Sequence, residues 1–84
     1  MQNRLTVRLF GISSVKEFIE RVERCQDQVF LDFDDTRYNV KENKRLRDML
    51  SAMAVDDRLY AVLPVSVTER DLPNIMALMQ KRAA

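Results

Sequence analysis

Histidine, the side chain most often used for proton transfer near neutral pH, does not occur in this chain of 84 residues. Cys25 is the only cysteine, so the chain has no second thiol for an internal disulfide and no imidazole to activate a thiolate. We therefore expect Cys25 to be a partly buried structural thiol. We also expect the protein to be no enzyme and to bind no cofactor.

Three aspartates, Asp32, Asp34 and Asp35, lie close enough in sequence to suggest a cation site. A calcium loop also needs a glycine for its sharp turn and a distal glutamate ligand, and this segment has neither. We interpret the three residues as the polar end of a strand and the turn that follows it. We expect no metal site.

Basic side chains cluster in the middle of the chain, at Arg37, Lys41, Lys44, Arg45 and Arg47. Such a run either binds anions, including nucleic acid, or forms the solvated surface of a helix end. The formal net charge is only +1, from 14 basic and 13 acidic residues, whereas nucleic-acid-binding domains usually carry a basic excess. This balance favours the solvated surface and argues against nucleic acid as a partner.

Length and composition indicate one domain, spanning residues 1–84. A hydrophobic fraction of 46% and a charged fraction of 32% are typical of a folded chain. The N-terminus lacks a signal-peptide pattern, and no apolar run approaches the ~20 residues of a membrane-spanning helix. Together with the single cysteine, these features predict a cytoplasmic protein that makes no membrane contact.

Hydrophobic periodicity predicts a strand, a helix and a hairpin in the first half of the chain. Residues 5–10 alternate, with Leu5, Val7 and Leu9 on one face, and Gly11 follows at a tight turn. Ser14 and Glu17 have the spacing of a capping box and precede an apolar helical stripe. Residues 29–33 and 38–40 predict a hairpin around a turn at residues 34–37.

The second half of the chain predicts two helices with one strand between them. Asn43 is a candidate N-cap for the first of these helices. Residues 59–63 predict a strand that ends at Pro64, and residues 71–81 predict a helix with Pro73 in its first turn, where proline is tolerated. The inner faces of the two helices are expected to carry Leu46, Met49, Leu50, Met53, Leu72, Ile75, Met76 and Met79. The order βαββαβα predicts an α+β domain with helices on one face of an antiparallel sheet.

Two known architectures have this order of elements: the ferredoxin-like fold with an added helix, and the fold of HPr, the histidine-containing phosphocarrier protein of the sugar phosphotransferase system. Local sequence favours the second. The segment from Gly11 to Lys16 reads Gly-Ile-Ser-Ser-Val-Lys and resembles the Gly-Ile-His-Ala-Arg-Pro segment of HPr proteins. Residues 29–33 and 38–41 resemble the two middle strands of that family.

This resemblance implies an open-faced two-layer sandwich, with a four-stranded antiparallel sheet in the order 1-4-2-3 and three helices on one face. Ser13 then takes the position of the reactive histidine, Val15 that of its arginine, and Glu42 that of the regulatory serine. Glu42 either imitates a phosphorylated serine or is an acidic residue favoured near a helix N-terminus, and we prefer the second interpretation.

The chemistry of phosphoryl transfer does not survive these replacements. A serine hydroxyl needs an adjacent base before it can attack, and the chain has no histidine to provide one. Replacing the arginine by Val15 also removes the phosphate clamp. The resemblance therefore implies an HPr-like protein without phosphocarrier activity, in a regulatory or protein-interaction role. The alternative is a small ferredoxin-like domain that binds nucleic acid.

Phe10, Phe30, Tyr60 and Val62 form a candidate interface. If their neighbours face the helices, these four side chains lie on the open face of the sheet, on adjacent strands. An exposed apolar patch often marks an interface. We expect an unknown protein partner there, or a second copy in a homodimer through the open sheet face. Partial cover by loops and the N-terminus is the alternative.

Overall fold

Seven elements follow one another in the order βαββαβα in the computed structural model, which describes residues 3–80. They are β1 (Arg4–Leu9), α1 (Val15–Arg24), β2 (Phe30–Phe33), β3 (Thr36–Asn39), α2 (Lys44–Met53), β4 (Leu63–Thr68) and α3 (Leu72–Gln80). Residue 81, the expected end of the last helix, lies outside the described residues. Within residues 3–80, no helix has the length and apolar character needed to cross a membrane.

The four strands form one antiparallel sheet in the order β1-β4-β2-β3, with the three helices on one face. β1 pairs with β4 from Arg4↔Thr68 to Leu9↔Leu63, and β4 pairs in turn with β2. The expected α+β fold and strand order are therefore confirmed. A ferredoxin-like sheet would instead pair β1 with β3, so that alternative architecture is wrong.

The expected position of the fourth strand, residues 59–63, is also wrong, because β4 begins where that prediction ended. Pro64 is the second residue of β4, and β4 pairs with β2 only at Val65 and Ser66. Pro64 lies opposite Arg8 in the β1–β4 ladder but outside the two-residue stretch that β4 shares with β2, so its missing N–H costs no hydrogen bond to β2. Leu59 makes an isolated bridge with Ile12 instead.

The hairpin between β2 and β3 turns through only two residues, fewer than the four expected. Asp34 and Asp35 have φ angles of 52° and 60°. Two consecutive left-handed residues twist a hairpin in the same sense as its strands, and aspartate tolerates this conformation better than most residues. Val40 lies just after β3, but its N–H donates to the carbonyl of Val29 at 2.9 Å and continues the pairing.

The core lies between the sheet and the helices. In α1 the predicted stripe is confirmed, with Val15, Phe18 and Val22 all buried. Cys25, expected to be partly buried, is only 4% exposed. In α2 the stripe is only half correct, because Met49 and Met53 are 38% and 41% exposed and do not fill the core.

The stripe predicted for α3 missed one core residue. Ile75 is buried as expected, and Leu78, which was not expected inside, is only 9% exposed. Leu72 and Met79 pack against the core while remaining partly accessible. The helix is short and apolar around most of its circumference, so its periodicity identifies the inner face poorly.

Candidate functional site

The N-terminus of α1, where the resemblance to HPr implies the position of the reactive residue, is capped by Ser14. The Ser14 hydroxyl accepts a hydrogen bond from the Glu17 N–H at 3.1 Å, which confirms the predicted cap. Ser13 precedes the cap and is exposed, whereas Val15 is completely buried. Since the side chain at position 15 packs into the core, it does not present a group to a ligand at this helix end.

Asp57, 43 residues further along the chain than Ser14, completes this helix end. Its carboxylate accepts hydrogen bonds from the Ser14 hydroxyl at 2.5 Å and from the Lys16 N–H at 3.2 Å. Its carbonyl accepts from the Val15 N–H at 2.8 Å. With Glu17 bonded to Ser14, the N–H groups of all three first-turn residues have acceptors within the chain.

A tight turn holds Asp57 in this place. Val55 and Arg58 exchange two backbone hydrogen bonds, of 2.8 and 2.9 Å. Asp56 and Asp57 form the turn between them with φ angles of 52° and 63°. The N-terminus of a helix attracts anions because its N–H groups and its dipole both favour negative charge. Here the anion is a carboxylate of the same chain.

Sequence reasoning missed Asp57 because no local pattern connects it with Ser14. The available signal was the pair Asp56–Asp57, which follows the apolar stripe of the second predicted helix. An Asp-Asp pair at a turn often adopts the left-handed conformation. The helix that such a turn caps depends on the tertiary fold.

Glu42, which aligns with the family's regulatory serine, is exposed in the turn before α2. Its neighbour Asn43 is the N-cap, and the Asn43 side chain accepts from the Leu46 N–H at 2.9 Å. The predicted cap is thereby confirmed. Glu42 stands near a helix N-terminus, as the macrodipole interpretation requires, and its regulatory role stays a prediction.

Three of the four candidate interface residues lie together, although not on the sheet as expected. The pair Leu9↔Leu63 ends the β1–β4 ladder, and the bridge Ile12↔Leu59 follows. Between these two pairs, residues 10–11 of one segment lie opposite residues 60–62 of the other. Phe10, Tyr60 and Val62 belong to this bulged segment. These three side chains, which we call the apolar rim, are 60%, 71% and 51% exposed.

Gly11 makes the bulged segment possible. Its φ angle is +66°, in the left-handed region that glycine adopts without strain. An added Cβ would meet no heavy atom within 4 Å, so the requirement is for the backbone conformation and not for space.

Phe30 does not join the apolar rim. It lies in β2 and is half-buried, with the guanidinium carbons of Arg4 and Arg37 at 4.8 and 5.5 Å from its ring centre. Its cross-strand neighbours are Ser66 and Asn39. The open sheet face around Phe30 is therefore polar, and two arginines cover it. The prediction of an apolar patch that includes Phe30 on this face is wrong.

Two of the five basic residues clustered in the middle of the chain form ion pairs. Arg37 forms an ion pair with Asp32 at 2.8 Å and lowers the pKa of that carboxyl, while Arg47 binds Glu23 at 2.9 Å. The Lys41 ammonium donates to the carbonyl of Cys25. In the part of the chain that the structure describes, no group of three potential ligands is arranged to hold a metal ion.

At the C-terminal end of α1, a second aspartate binds backbone N–H groups. Asp71 is only 4% exposed, and its carboxylate accepts from the N–H groups of Gln26 and Asp27 at 2.9 and 2.8 Å. Arg70 and Thr68 donate to the Asp27 carboxylate, and both lower its pKa. Burial raises the pKa of the nearby Cys25 thiol.

Comparisons with protein-family models, with curated proteins and with solved structures find no match to this chain.

Proposed function

We propose that this domain is a non-catalytic HPr-like protein that acts through protein interaction and has no phosphocarrier activity. The observation that carries the proposal is the position of Asp57, whose carboxylate and carbonyl bind the first N–H groups of α1. A phosphate bound at the N-terminus of α1 would need these N–H groups as donors. The order of elements and the strand order β1-β4-β2-β3 are also those of an HPr-like fold.

Electrostatics oppose phosphorylation at this helix end. A phosphate on Ser13 would carry close to two negative charges near neutral pH and would lie beside the Asp57 carboxylate. The N–H donors that could stabilise it already have acceptors. Val15 is buried and supplies no cation, so Lys16 is the only basic residue of the first turn.

The apolar rim supports the interaction half of the proposal. Aromatic residues are enriched where proteins bind one another, and three large side chains here remain more than half exposed. The apolar rim is close in sequence to Ser14 and Asp57 at the N-terminus of α1. The proposed interface would therefore include the helix end at which the resemblance to HPr implies a phosphate site. The proposed location is the cytoplasm, where an unpaired cysteine stays reduced.

The catalytic half is tested by incubating the chain with the upstream kinase of the family and labelled phosphoenolpyruvate. A native HPr protein serves as the positive control for the kinase. We expect no label on the chain in the time that labels the control fully. Stable incorporation of label at Ser13 would show that the proposal is wrong.

The protein-interaction part of the proposal is tested by comparing the complexes that the native chain and its variants form with a partner protein. The double variant Phe10→Ser/Tyr60→Ser removes most of the apolar rim, and Met49→Ser removes a large exposed side chain from α2 as the matched control. We expect the first to lose a specific partner at least tenfold and the second to keep it. Equal binding by both variants would contradict the role of the rim.

A further inference from the structure

The longest free edge of the sheet belongs to β1. This strand pairs with β4 along all six of its residues and forms one end of the order β1-β4-β2-β3. An edge strand presents a row of backbone N–H and C=O groups that can pair with another extended chain. The other edge strand, β3, has only four residues.

β1 lacks two of the features that keep edge strands from pairing, a proline and a bulge. Its sequence, Arg-Leu-Thr-Val-Arg-Leu, contains no proline or lysine, and its ladder with β4 is regular. Arg4 extends across the sheet, because its Nη1 donates to the carbonyls of Ser66 and Gln28 at 3.0 and 3.1 Å. The Arg4 guanidinium also lies over Phe30, so it does not block the outer edge.

The side chains along this edge are apolar and positively charged. Leu5 is 37% exposed, and Phe10 of the apolar rim, which follows the last residue of β1, is 60% exposed. Arg8 is exposed, and no carboxylate within residues 3–80 pairs with it. β1 has no acidic residue, and Arg8 gives its edge a positive charge, whereas the Arg4 guanidinium lies over Phe30.

We propose that the β1 edge binds an extended acidic segment of a partner protein, which adds to the sheet as a fifth strand. This inference rests on the proposed protein-interaction role and names its partner chemistry. Carboxylates of the added strand would lie beside Arg8, and the apolar residues that alternate with them would lie on the opposite face, beside Leu5. A second copy of β1 fits less well, because its arginines add to those already present and it brings no carboxylate to neutralise them.

Fluorescence anisotropy with three short labelled peptides tests this inference. In the first peptide glutamate alternates with valine, in the second lysine replaces glutamate, and in the third proline replaces valine. The third peptide keeps the charge of the first but cannot pair as a strand. We expect saturable binding of the first peptide alone, with new hydrogen-exchange protection of amides in β1.

Two charge-matched variants complete the test. Arg8→Glu reverses the exposed charge on β1, and Arg45→Glu reverses an exposed charge on α2. We expect Arg8→Glu to weaken the first peptide by about tenfold or more and Arg45→Glu to leave it unchanged.

Each remaining outcome overturns the inference. If both variants lose the same affinity for the first peptide, or if the proline peptide binds as well as the first, the peptide is attracted only by the net charge of the protein. No binding of the first peptide, or dimerisation of the free chain through β1 by sedimentation, excludes the acidic strand as the occupant. None of these results changes the phosphoryl-labelling result, so failure here is distinguishable from failure of the proposed function.

Discussion

The two ends of α1 are held by aspartates that use the same chemistry in different surroundings. At the N-terminal end, Asp57 binds the Ser14 hydroxyl and the Lys16 N–H from an exposed turn. Beyond the C-terminal end, Asp71 binds the N–H groups of Gln26 and Asp27 from a site that is 4% exposed. Each carboxylate joins segments that are more than 40 residues apart in sequence.

The difference in exposure between Asp57 and Asp71 implies that the two carboxylates have different roles. If the Asp71 carboxylate is lost, two partly buried N–H groups lose their acceptor in a site that water enters poorly. If the Asp57 carboxylate is lost, water or a dissolved anion can take its place. We infer that Asp71 is required for the fold, whereas Asp57 determines what the α1 N-terminus is able to bind.

The largest expected effect is therefore at Asp71. Asp71→Ala leaves the N–H groups of Gln26 and Asp27 without their acceptor and should lower the free energy of unfolding by about 3 kcal/mol. Denaturant titration measures this loss. Asp71→Asn keeps one acceptor oxygen and should fall between the native chain and the alanine variant. A loss in Asp71→Ala no larger than that at Asp57 would contradict the comparison.

A smaller loss is expected at Asp57. Asp57→Gly removes the carboxylate but accommodates the φ angle of 63°, so the change in the free energy of unfolding should be about 1 kcal/mol, as for a lost helix cap. Asp56→Gly is the matched control in the same turn, with a native φ of 52°. It should leave stability unchanged or slightly higher. Equal destabilisation by both changes would mean that the turn, and not the Asp57 carboxylate, caps the helix.

The pH dependence of stability gives a still smaller effect. Hydrogen bonds from Arg70 and Thr68 hold the pKa of Asp27 below its ordinary value. The unfolded chain therefore binds this proton first as the pH falls, so stability is full above the ordinary aspartate pKa of about 3.9 and declines through the lower folded-state value. Asp27→Asn should flatten this acid limb in urea titrations at several pH values. If the fall in the free energy of unfolding at low pH is unchanged in Asp27→Asn, Asp27 does not contribute to it.

Sequence alone predicted those parts of the fold that depend on neighbours in the chain. The Ser14 cap, the Asn43 cap and the α1 stripe each follow from spacings of three or four residues. The strand order followed from the family resemblance and not from periodicity. The predicted position of β4 was wrong because Pro64 was taken as the end of the strand, although it lies inside β4 opposite Arg8 and outside only the stretch paired with β2.

The candidate site was less predictable because it is assembled from distant segments. Exposure of Phe10, Tyr60 and Val62 was expected and is observed, but these residues lie outside the strands, and Phe30 does not lie with them. The contact of Asp57 with the α1 N-terminus depends on the bridge between Leu59 and Ile12. Apolar residues at every third or fourth position identify the buried face of a helix in the sequence, whereas no comparable sequence pattern identifies two loops that pair with each other.

The central claim is that Asp57 closes the α1 N-terminus to phosphate. Titration of the isotope-labelled chain with inorganic phosphate, followed by the Lys16 amide resonance, tests it most directly. The Lys16 amide should not respond saturably in the native chain and should do so in Asp57→Gly, where its acceptor is missing. A saturable shift of the Lys16 amide in the native chain would contradict the account.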